Sequence, residues 1–456
     1  MKYTVFIIGI IFLVPLGSLA ATYSRRVREI AFGCLVFATV LSDWYDINFV
    51  DRWWYAGSTR GFEVSIVDLL TITLLLSTIA TLRREGGRLF WPAGLGPMIA
   101  FLAFGCFSVA ISDPKLFGLF ELTKLVRGIV VFLTVAWYVR TERDAYVLVV
   151  GLGGALLCNG AFAVWQRYSG AMYRVHGTFP HENILGDYCV LAGPIVLAVG
   201  LSALPPMVRA YCVAASVSAA VATVLTISRM PSALFLGTSM AVLVTAFGFR
   251  FTPRKVALVL LVGVLLIGIF YRGLDGLSDR QRATTMADDS QGDGRTGHYR
   301  MGWKMALDHP VGVGLNNWGW YYHEYASWAG VDNSIAYEST SAPGEGRATQ
   351  GHTLYGLTLG ELGWPGVILF MILVARCLHI GVSFLLVSES NIWSRIGVGC
   401  FFGFLAEFVA NSTEITFRNQ QIFIIFNILL GFLAVARMHV SRSNWMVATV
   451  NRIGNR

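Results

Sequence analysis

The sequence predicts an all-α bundle of membrane-spanning helices with one large polar loop, and three observations support this fold class. Of the 456 residues, 55% are hydrophobic and only 14% are charged, and the mean hydropathy is +0.60. A soluble domain carries about 25% charged residues. Apolar stretches long enough to span a membrane recur along the chain, and arginines concentrate in alternate connections. A water-soluble enzyme, a secreted disulfide scaffold and a disordered regulator are therefore excluded.

The apolar stretches predict the number of transmembrane helices. A helix needs about 17–25 apolar residues to cross the hydrocarbon core. About thirteen stretches approach or reach this length, at 3–22, 28–43, 64–82, 94–112, 117–139, 144–166, 184–204, 209–227, 231–249, 255–271, 353–375, 394–411 and 420–438. We therefore expect about 12–13 transmembrane helices.

The first stretch could also be a signal peptide, since Lys2 precedes an apolar run that ends in Gly-Ser-Leu-Ala-Ala. Cleavage there would leave Arg25, Arg26 and Arg28 on the outer side. That arrangement opposes the rule that basic residues stay in the cytoplasm, so an uncleaved anchor is the favoured interpretation.

The placement of arginine and lysine predicts the orientation. The connections rich in these residues should face the cytoplasm. They hold Arg25, Arg26, Arg28, Arg83, Arg84, Arg88, Arg140, Arg143, Arg209, Arg250, Arg254, Lys255, Arg376, Arg395, Arg437, Arg442, Arg452 and Arg456. The intervening short connections hold fewer, namely Arg52, Arg60, Lys115, Arg167, Arg174, Arg229 and Arg418. The net charge of +8 is thus explained by membrane topology, and nucleic acid is not an expected partner.

We expect three parts: an N-terminal bundle of about ten spans over 1–271, a large outer loop over 272–352, and C-terminal helices with a cytoplasmic tail over 353–456. The loop of about eighty residues far exceeds the usual connection length, so we expect it to be functional and partly helical. Neither a repeat nor two related halves are visible in the sequence, which disfavours many transporter folds.

The cysteines and the common catalytic motifs narrow the chemistry further. The seven cysteines lie singly in or beside apolar stretches without CxxC or CxxH pairing, which is typical of small buried hydrophobes rather than metal ligands. The sequence contains no Walker A loop, HExxH, GxSxG or GxGxxG motif. We therefore expect neither a cofactor nor a metal site.

Four polar segments begin or end helices on the predicted outer side. They are Tyr173 through Asn183 before the seventh span, Ser228-Arg229 at the end of the eighth, Gly294 through Gly314 in the large loop, and Gly351 through Gly363 at the start of the eleventh. Because all four face the same side, we expect them to contribute to one functional site.

Arg229 is a candidate phosphate ligand. It stands two residues before Pro231, and Pro favours the first turn of a helix. The ninth span would then begin with unpaired backbone N–H groups beside a guanidinium, and both favour a phosphate. The alternative is a single interfacial Arg that extends to lipid headgroups.

Other residues of these segments are also candidates. His352 stands between a polar loop and an apolar helix, where burial or a nearby cation can bring its pKa toward neutrality, although a structural role is equally open. Arg295 and Arg300 could bind phosphate or simply form a solvated face. Glu361 lies nine residues into an apolar span, which makes it a functional residue or the partner of an Arg.

Glu121, Lys124 and Arg127 follow i, i+3, i+6 spacing on roughly one face of the fifth span. A salt bridge between Glu121 and Lys124 is the favoured interpretation for that pair. Arg127 would then bind either a phosphate group or a buried acidic partner.

In their order and spacing, the four segments resemble the bacterial O-antigen ligase and polymerase superfamily of multi-spanning membrane proteins. The resemblance covers about residues 170–370 and rests on four motifs. They are Arg174 through Asn183 (Arg-x-x-Gly-Thr-Phe-x-x-x-Asn), Ser228-Arg229, Gly294-Arg295 through Asp308-His309-Pro310 and Gly312-Val313-Gly314, and His352 through Gly363 with Glu361 in a Glu-x-Gly pattern. The chain departs from the commonest pattern at Glu182, where Pro often precedes the Asn, and at Thr353, where Asn often follows the His.

The resemblance implies a GT-C-like, inverting and metal-independent glycosyltransferase in the bacterial inner membrane, with its active site facing the periplasm. Such ligases move a glycan from undecaprenyl pyrophosphate to a hydroxyl of lipid A-core. Arg229 and Arg295 would hold the pyrophosphate, and His352 would be the general base or orient the acceptor. Arg300 competes with Arg295 for its role.

Further residues are expected to bind substrate. They are Arg174, His176, Asn183, Arg127, Lys124, Glu361 and Arg300. The aromatic residues Trp318, Trp320, Tyr321 and Tyr322 could stack on sugars or form an aromatic belt at the membrane interface.

The polymerases of the superfamily share these motifs, so the acceptor stays open among lipid A-core, a growing glycan and a protein hydroxyl. The order Arg, Arg, His with one large late loop favours the ligase. A non-enzymatic transporter of lipid-linked sugars is the alternative from another class. Its polar groups should lie near the bilayer midplane, whereas here they gather at outer helix ends, which favours catalysis.

Overall fold

The structure is a computed structural model that describes residues 2–44, 46–52, 55, 57–246, 264, 294–329, 351–386 and 391–454. The predicted all-α membrane bundle is confirmed, since helices dominate these residues and sheet is confined to one short ribbon. The helices are α1 Lys2–Ile8, α2 Val14–Tyr23, α3 Arg25–Ala38, α4 Ile66–Arg84, α5 Leu95–Ile111, α6 Lys115–Tyr138, α7 Glu142–Tyr168, α8 Glu182–Gly200, α9 Pro206–Leu225, α10 Arg229–Ala246, α11 Gly294–Asp308, α12 Trp318–Ala329, α13 Leu354–Val382, α14 Ile392–Ala410 and α15 Gln420–Gly454.

Three short helical elements and one ribbon complete the described chain. A π-helical turn, Gly9–Leu13, joins α1 to α2, and 3-10 helices occupy Thr39–Trp44 and Thr416–Arg418. Strands β1 (Ile47–Phe49) and β2 (Phe62–Val64) pair antiparallel, with Ile47 opposite Val64.

Eight described helices are long and apolar enough to cross a membrane. They are Phe6–Tyr23, Ile66–Arg84, Glu142–Tyr168, Glu182–Gly200, Pro206–Leu225, Leu354–Val382, Ile392–Ala410 and Gln420–Val440. The predicted stretches at 94–112 and 231–249 form shorter apolar helices, Leu95–Ile111 and Arg229–Thr245. The chain is thus a multi-pass membrane protein, and its described residues contain fewer full spans than the thirteen expected.

Three of the thirteen predicted spans differ for other reasons. The stretch 28–43 becomes the 14-residue α3 followed by a 3-10 helix, and α3 alone is too short to span. The 24-residue α6 is long enough, but it carries Glu121, Lys124 and Arg127. The stretch 255–271 lies, apart from residue 264, outside the described residues.

Two of the spans have a capping box at their N-terminus. Ser65 and Asp68 form a capping box at the start of α4, and Thr141 and Asp144 form another at the start of α7. Each box satisfies backbone N–H groups that a helix leaves without internal partners.

The centre of the bundle is the contact between α8 and α14. A Cβ atom on Gly399 would lie 2.4 Å from Cα of Ile195, and one on Gly403 would lie 2.5 Å from the carbonyl oxygen of Leu191. Glycine at these two positions therefore lets the two backbones touch, as small residues do between membrane helices. This contact fixes the first turn of α8 relative to the last turn of α14.

The large loop is partly helical, as predicted. It contains α11 and α12 within the described residues, while 330–350 lies outside them. Trp318 and Tyr322 of α12 are buried, whereas Trp320 is 51% exposed. Only Trp320 of these three therefore offers a ring face to a ligand.

Candidate functional site

The loop before α8 is held by two amide side chains of α7. Oε1 of Gln166 accepts from the backbone N of Gly177 at 2.8 Å and of His176 at 3.2 Å, and Nε2 of Gln166 donates to the carbonyl of Gly177 at 3.0 Å. Oδ1 of Asn159 accepts from the backbone N of Thr178 at 3.0 Å. Gly177 has φ +61°, and a Cβ there would lie 2.5 Å from Oδ1 of Asn159. The backbone conformation thus requires the glycine of the motif at position 177.

His176 lies within this loop and is half-buried. Its Nδ1 is 2.6 Å from the carbonyl oxygen of Phe179, whose own ring is buried against Tyr188 with 5.1 Å between centroids. These contacts stabilise the turn. A contact between His176 and substrate remains a prediction.

The first two motifs meet at a cluster that we call the Arg174 cluster: Arg174, Glu182, Asn183 and Ser228. Arg174 forms a salt bridge with Glu182, and its Nη2 donates to Oγ of Ser228 at 3.3 Å. Oγ of Ser228 in turn donates to Oδ1 of Asn183 at 2.7 Å. The structure therefore brings together two predicted site residues, Arg174 and Asn183, with the serine that precedes a third.

That third residue, Arg229, is the first residue of α10 and is exposed, while Ser228 before it is 1% exposed. The chain turns into α10 through Ile227, which has φ +52°. Arg229 thus lies on the surface beside the Arg174 cluster, at a helix N-terminus where an anion is favoured. Glu182, one of the two departures from the commonest pattern, forms a salt bridge with Arg174 and so compensates the charge of that guanidinium.

The other two motifs meet where α11 packs on α13. His352 is exposed, and its ring centroid lies 5.0 Å from that of the buried His298 in an edge-to-face arrangement with 72° between the planes. Arg295 precedes His298 by three residues in α11, so their backbones share one face of the helix. The side chain of Arg295 is outside the described part of the structure. Arg300 is exposed on the same helix.

The two groups of residues lie at the same end of the bundle. Asn183 stands in the first turn of α8, and one turn later the buried Asp187 faces Glu407 and Thr416. Oγ1 of Thr416 donates to Oε1 of Glu407 at 3.3 Å, and Nδ2 of Asn411 donates to the same oxygen at 2.8 Å.

Asn411 continues this chain of contacts to the start of α13. Its carbonyl accepts from the backbone N of Leu354 at 3.1 Å, and Leu354 follows His352 by two residues. Helix α8 contacts the 3-10 helix Thr416–Arg418, and Oδ1 of Asn411 accepts from the backbone N of Phe417 at 3.0 Å. The Arg174 cluster and the segment that carries His352 therefore lie at the same end of the bundle.

A second polar group is a buried network of two carboxylates and two cations. Nη1 of Arg418 lies 3.0 Å from Oε1 of Glu121, and its Nη2 lies 2.9 Å from Oε2 of Glu361. Nζ of Lys124 lies 2.7 Å from Oε2 of Glu121 and donates to the carbonyl of Arg418 at 2.8 Å. We call these four residues the buried ion network, and their formal charges cancel.

The buried ion network shows what Lys124 and Glu361 contact in this structure. The salt bridge expected between Glu121 and Lys124 is present, and Glu361 has an Arg as partner. Arg127, the third residue of that helix face, pairs bidentately with Asp68 at 2.8 and 2.7 Å. Substrate binding by Lys124, Arg127 and Glu361 remains a prediction.

Sequence reasoning missed several residues of these groups. The sequence analysis counted Arg418 only among the few basic residues of the outer connections. In the structure it forms two salt bridges. Asn316 has φ +59° and donates through Nδ2 to the carbonyls of Thr59 and Phe117, both at 2.9 Å. The sequence signal that could have pointed to Asn316 is that Asn tolerates the left-handed conformation found in turns.

A narrow apolar cavity lies beside the buried ion network. It is walled by α5, α6, α13 and α15, with Glu121 and Arg418 on one side and Leu354 and Thr358 from the start of α13 on another. Its lining is suited to hydrocarbon, and its position is directly below the segment that carries His352.

Comparison with known proteins supports the resemblance inferred from the motifs. Residues 214–371 match the O-antigen ligase family model. The matched part includes Arg229, Arg295, Arg300, His352 and Glu361, and it begins after the Arg174–Asn183 segment. No curated protein matches the chain. The match confirms similarity to the O-antigen ligase and polymerase superfamily, whose members are membrane glycosyltransferases.

Proposed function

We propose that this chain, whose residues 214–371 match the O-antigen ligase family, transfers a glycan from undecaprenyl pyrophosphate to a hydroxyl of lipid A-core on the periplasmic side of a bacterial inner membrane. The observation that carries the proposal is the convergence of the four motifs at one end of the bundle. Arg174 and Asn183 contact Ser228, and α11 brings His298 against His352. The contacts through Asp187, Thr416 and Asn411 connect the two groups.

The donor pyrophosphate is assigned to Arg229 and Arg295. Arg174 already has Glu182 as a partner, so its charge contributes little to anion binding. Arg229 is exposed at the N-terminus of α10, where helix dipole and guanidinium act together. Arg295 is the second residue of α11 and stands about one turn before His298, so its backbone position is compatible with a site that includes His352.

The transfer is a displacement at the anomeric carbon of the donor sugar. The acceptor hydroxyl oxygen forms a bond to that carbon as the bond to the pyrophosphate oxygen breaks, which inverts the configuration. The leaving oxygen takes the electron pair, and fixed guanidinium groups stabilise the charge that develops there. The proton of the hydroxyl passes to His352 as general base. No step needs a metal ion.

His298 would orient His352 for this role. Its ring is 3% exposed and meets the exposed ring of His352 edge to face, so it limits the tilt of His352. The apolar cavity below the same segment would take part of the isoprenoid chain of the carrier, since a lipid tail needs an apolar wall.

The experiment that tests the proposal is a transfer assay with purified full-length protein, undecaprenyl-pyrophosphate-linked glycan and lipid A-core, with EDTA present. The expected product is glycosylated lipid A-core, and acceptor-free samples should keep the donor intact. Longer glycans on the carrier lipid would identify a polymerase instead. Donor that stays intact with lipid A-core, glycan and protein acceptors would contradict glycosyl transfer and support the transporter. Activity that EDTA abolishes and Mg²⁺ restores would contradict the metal-independent step.

A further inference from the structure

A polar cavity lies between the ends of α3, α4, α6 and α7. We call it the Arg28 cavity, and its lining includes Arg25, Arg28, Thr78, Thr81, Trp137 and Arg140. The surrounding surface is basic, since Arg26, Arg83 and Arg84 belong to the same helix ends.

The Arg28 cavity is remote from the candidate active site. It includes Thr141 and Asp144 at the start of α7, whereas Gln166, which holds the loop of the first motif, stands in the last turn of that helix. The 27 residues of α7 extend about 40 Å. The two sites therefore lie at opposite ends of the bundle.

The hydroxyl of Tyr138 and two further buried polar atoms of this cavity lack hydrogen-bond partners. Thr78 is 4% exposed and its Oγ1 has no partner. Threonines in a helix commonly donate to the carbonyl four residues earlier, as Thr71 and Thr81 of the same helix do at 2.7 and 2.8 Å. Nε of Arg28 is also buried without a partner, although its Nη1 donates to Oγ1 of Thr81 at 2.7 Å. A ligand that accepts hydrogen bonds would satisfy both atoms.

The carboxylates near the cavity do not compensate Arg28. Asp144 accepts from the backbone N of Arg140 and Thr141 at 3.0 and 2.9 Å as part of the α7 cap. Glu29 pairs with Arg25 and Arg143, and Glu85 is exposed at the rim. Among the residues that the structure describes, neither Arg28 nor Arg140 forms a salt bridge. The cavity thus has a net preference for an anion.

We propose that the Arg28 cavity binds the phosphate of an anionic phospholipid from the leaflet opposite the candidate active site. A guanidinium with an unsatisfied N–H fits the oxygens of a phosphate, and basic pockets between membrane helices bind such headgroups. A lipid fits better than a soluble anion, because α4 and α7 continue from the cavity as membrane spans and Leu82 and Trp137 form part of its wall. Trp137 is also a residue type that favours the headgroup region.

The test is binding of phosphatidylglycerol to the purified full-length protein, measured by native mass spectrometry, with phosphatidylcholine and inorganic phosphate as separate probes. Arg28→Gln should weaken phosphatidylglycerol binding by about tenfold or more, because a charge-assisted hydrogen bond is lost. Thr78→Val should weaken it by about threefold while keeping the side-chain shape. The matched control is Arg26→Gln, an exposed Arg of the same helix that does not line the cavity.

Two results would support the proposal and two would overturn it. Loss of binding in Arg28→Gln but not in Arg26→Gln supports it, and so does failure of inorganic phosphate at millimolar concentration to displace the lipid. Equal binding by both Gln variants would overturn it, and so would binding of inorganic phosphate as tight as that of the lipid. If Arg28→Gln does not fold, Arg140→Gln together with Thr78→Val takes its place with the same expected loss. Glycan transfer should be unchanged in Thr78→Val, so failure here is distinguishable from failure of the proposed function.

Discussion

Arg174 and Arg229 lie near each other in the structure but have different surroundings. Arg174 contacts Glu182, Ser228 and the carbonyl of Thr226, so its guanidinium is committed to holding the loop. Arg229 is exposed at the first residue of a helix. We therefore expect loss of Arg174 to reduce stability as well as transfer, and loss of Arg229 to reduce transfer alone.

The buried ion network gives a stability prediction at Arg418. Arg418→Ala should destabilise the protein by about 3–5 kcal/mol, because Glu121 and Glu361 would keep their buried charges without this partner. Thermal unfolding in detergent measures the loss. Arg418→Lys is the matched variant. It should lose less stability, since an ammonium group can still form a salt bridge with one of the two carboxylates.

An Arg418→Ala protein that unfolds at the wild-type temperature but no longer transfers glycan would contradict this assignment. It would show that the network binds substrate rather than holding α6, α13 and the 3-10 helix together.

Glu63 of β2 gives a pH prediction. Burial raises the pKa of Glu63 from 4.5 to about 7, although Lys124 and Arg127 act in the opposite direction. A carboxyl with a raised pKa is protonated more readily in the folded than in the unfolded state, so its contribution to stability is present below pH 4.5 and is lost as the pH rises to 7. Unfolding temperature, measured from pH 4.5 to 7, should fall less in Glu63→Gln than in the wild type. Parallel curves for the two proteins would contradict the raised pKa.

Among the helices, α8 and α14 are held together by a contact in which their backbones touch. Gly399→Leu should lower stability by about 1–3 kcal/mol or more, because a side chain there would meet the backbone of Ile195. Transfer should also fall, since α8 carries Asn183 and α14 leads to Thr416. Thermal unfolding and the transfer assay measure the two effects.

The matched control for this helix contact is Gly237→Ala in α10. A Cβ at Gly237 would meet nothing within 4 Å, so this change should leave stability unchanged or slightly raised. Equal loss in the two variants would show that the close approach of α8 and α14 is not what the glycine provides.

The helices themselves were predictable because apolar length is a local property of the chain. Among the described residues, two predicted spans differ from long apolar helices: α3 is 14 residues long, and α6 carries three charged residues that form salt bridges. The Arg174 cluster was predictable because its members lie within short motifs. The pairing of Arg418 with Glu121 was not, since 297 residues separate them and one sequence carries no signal for such a contact.

At the scale of the whole molecule, the two ends of the bundle differ in chemistry. One end gathers the four motifs around Arg229 and His352, and the other carries the Arg28 cavity within a basic surface. The charge pattern predicts that the basic end faces the cytoplasm, which would direct the motif end to the periplasm.

The central claim is that Arg229 and His352 act in one site of glycan transfer. The most direct test measures the transfer rate of Arg229→Ala and His352→Ala in proteoliposomes against the wild type, with Lys115→Ala as a control cation of the same predicted side. We expect a loss of at least about a hundredfold in both variants, at wild-type levels of membrane insertion, and little change in Lys115→Ala. Full transfer by a well-inserted Arg229→Ala protein would contradict it.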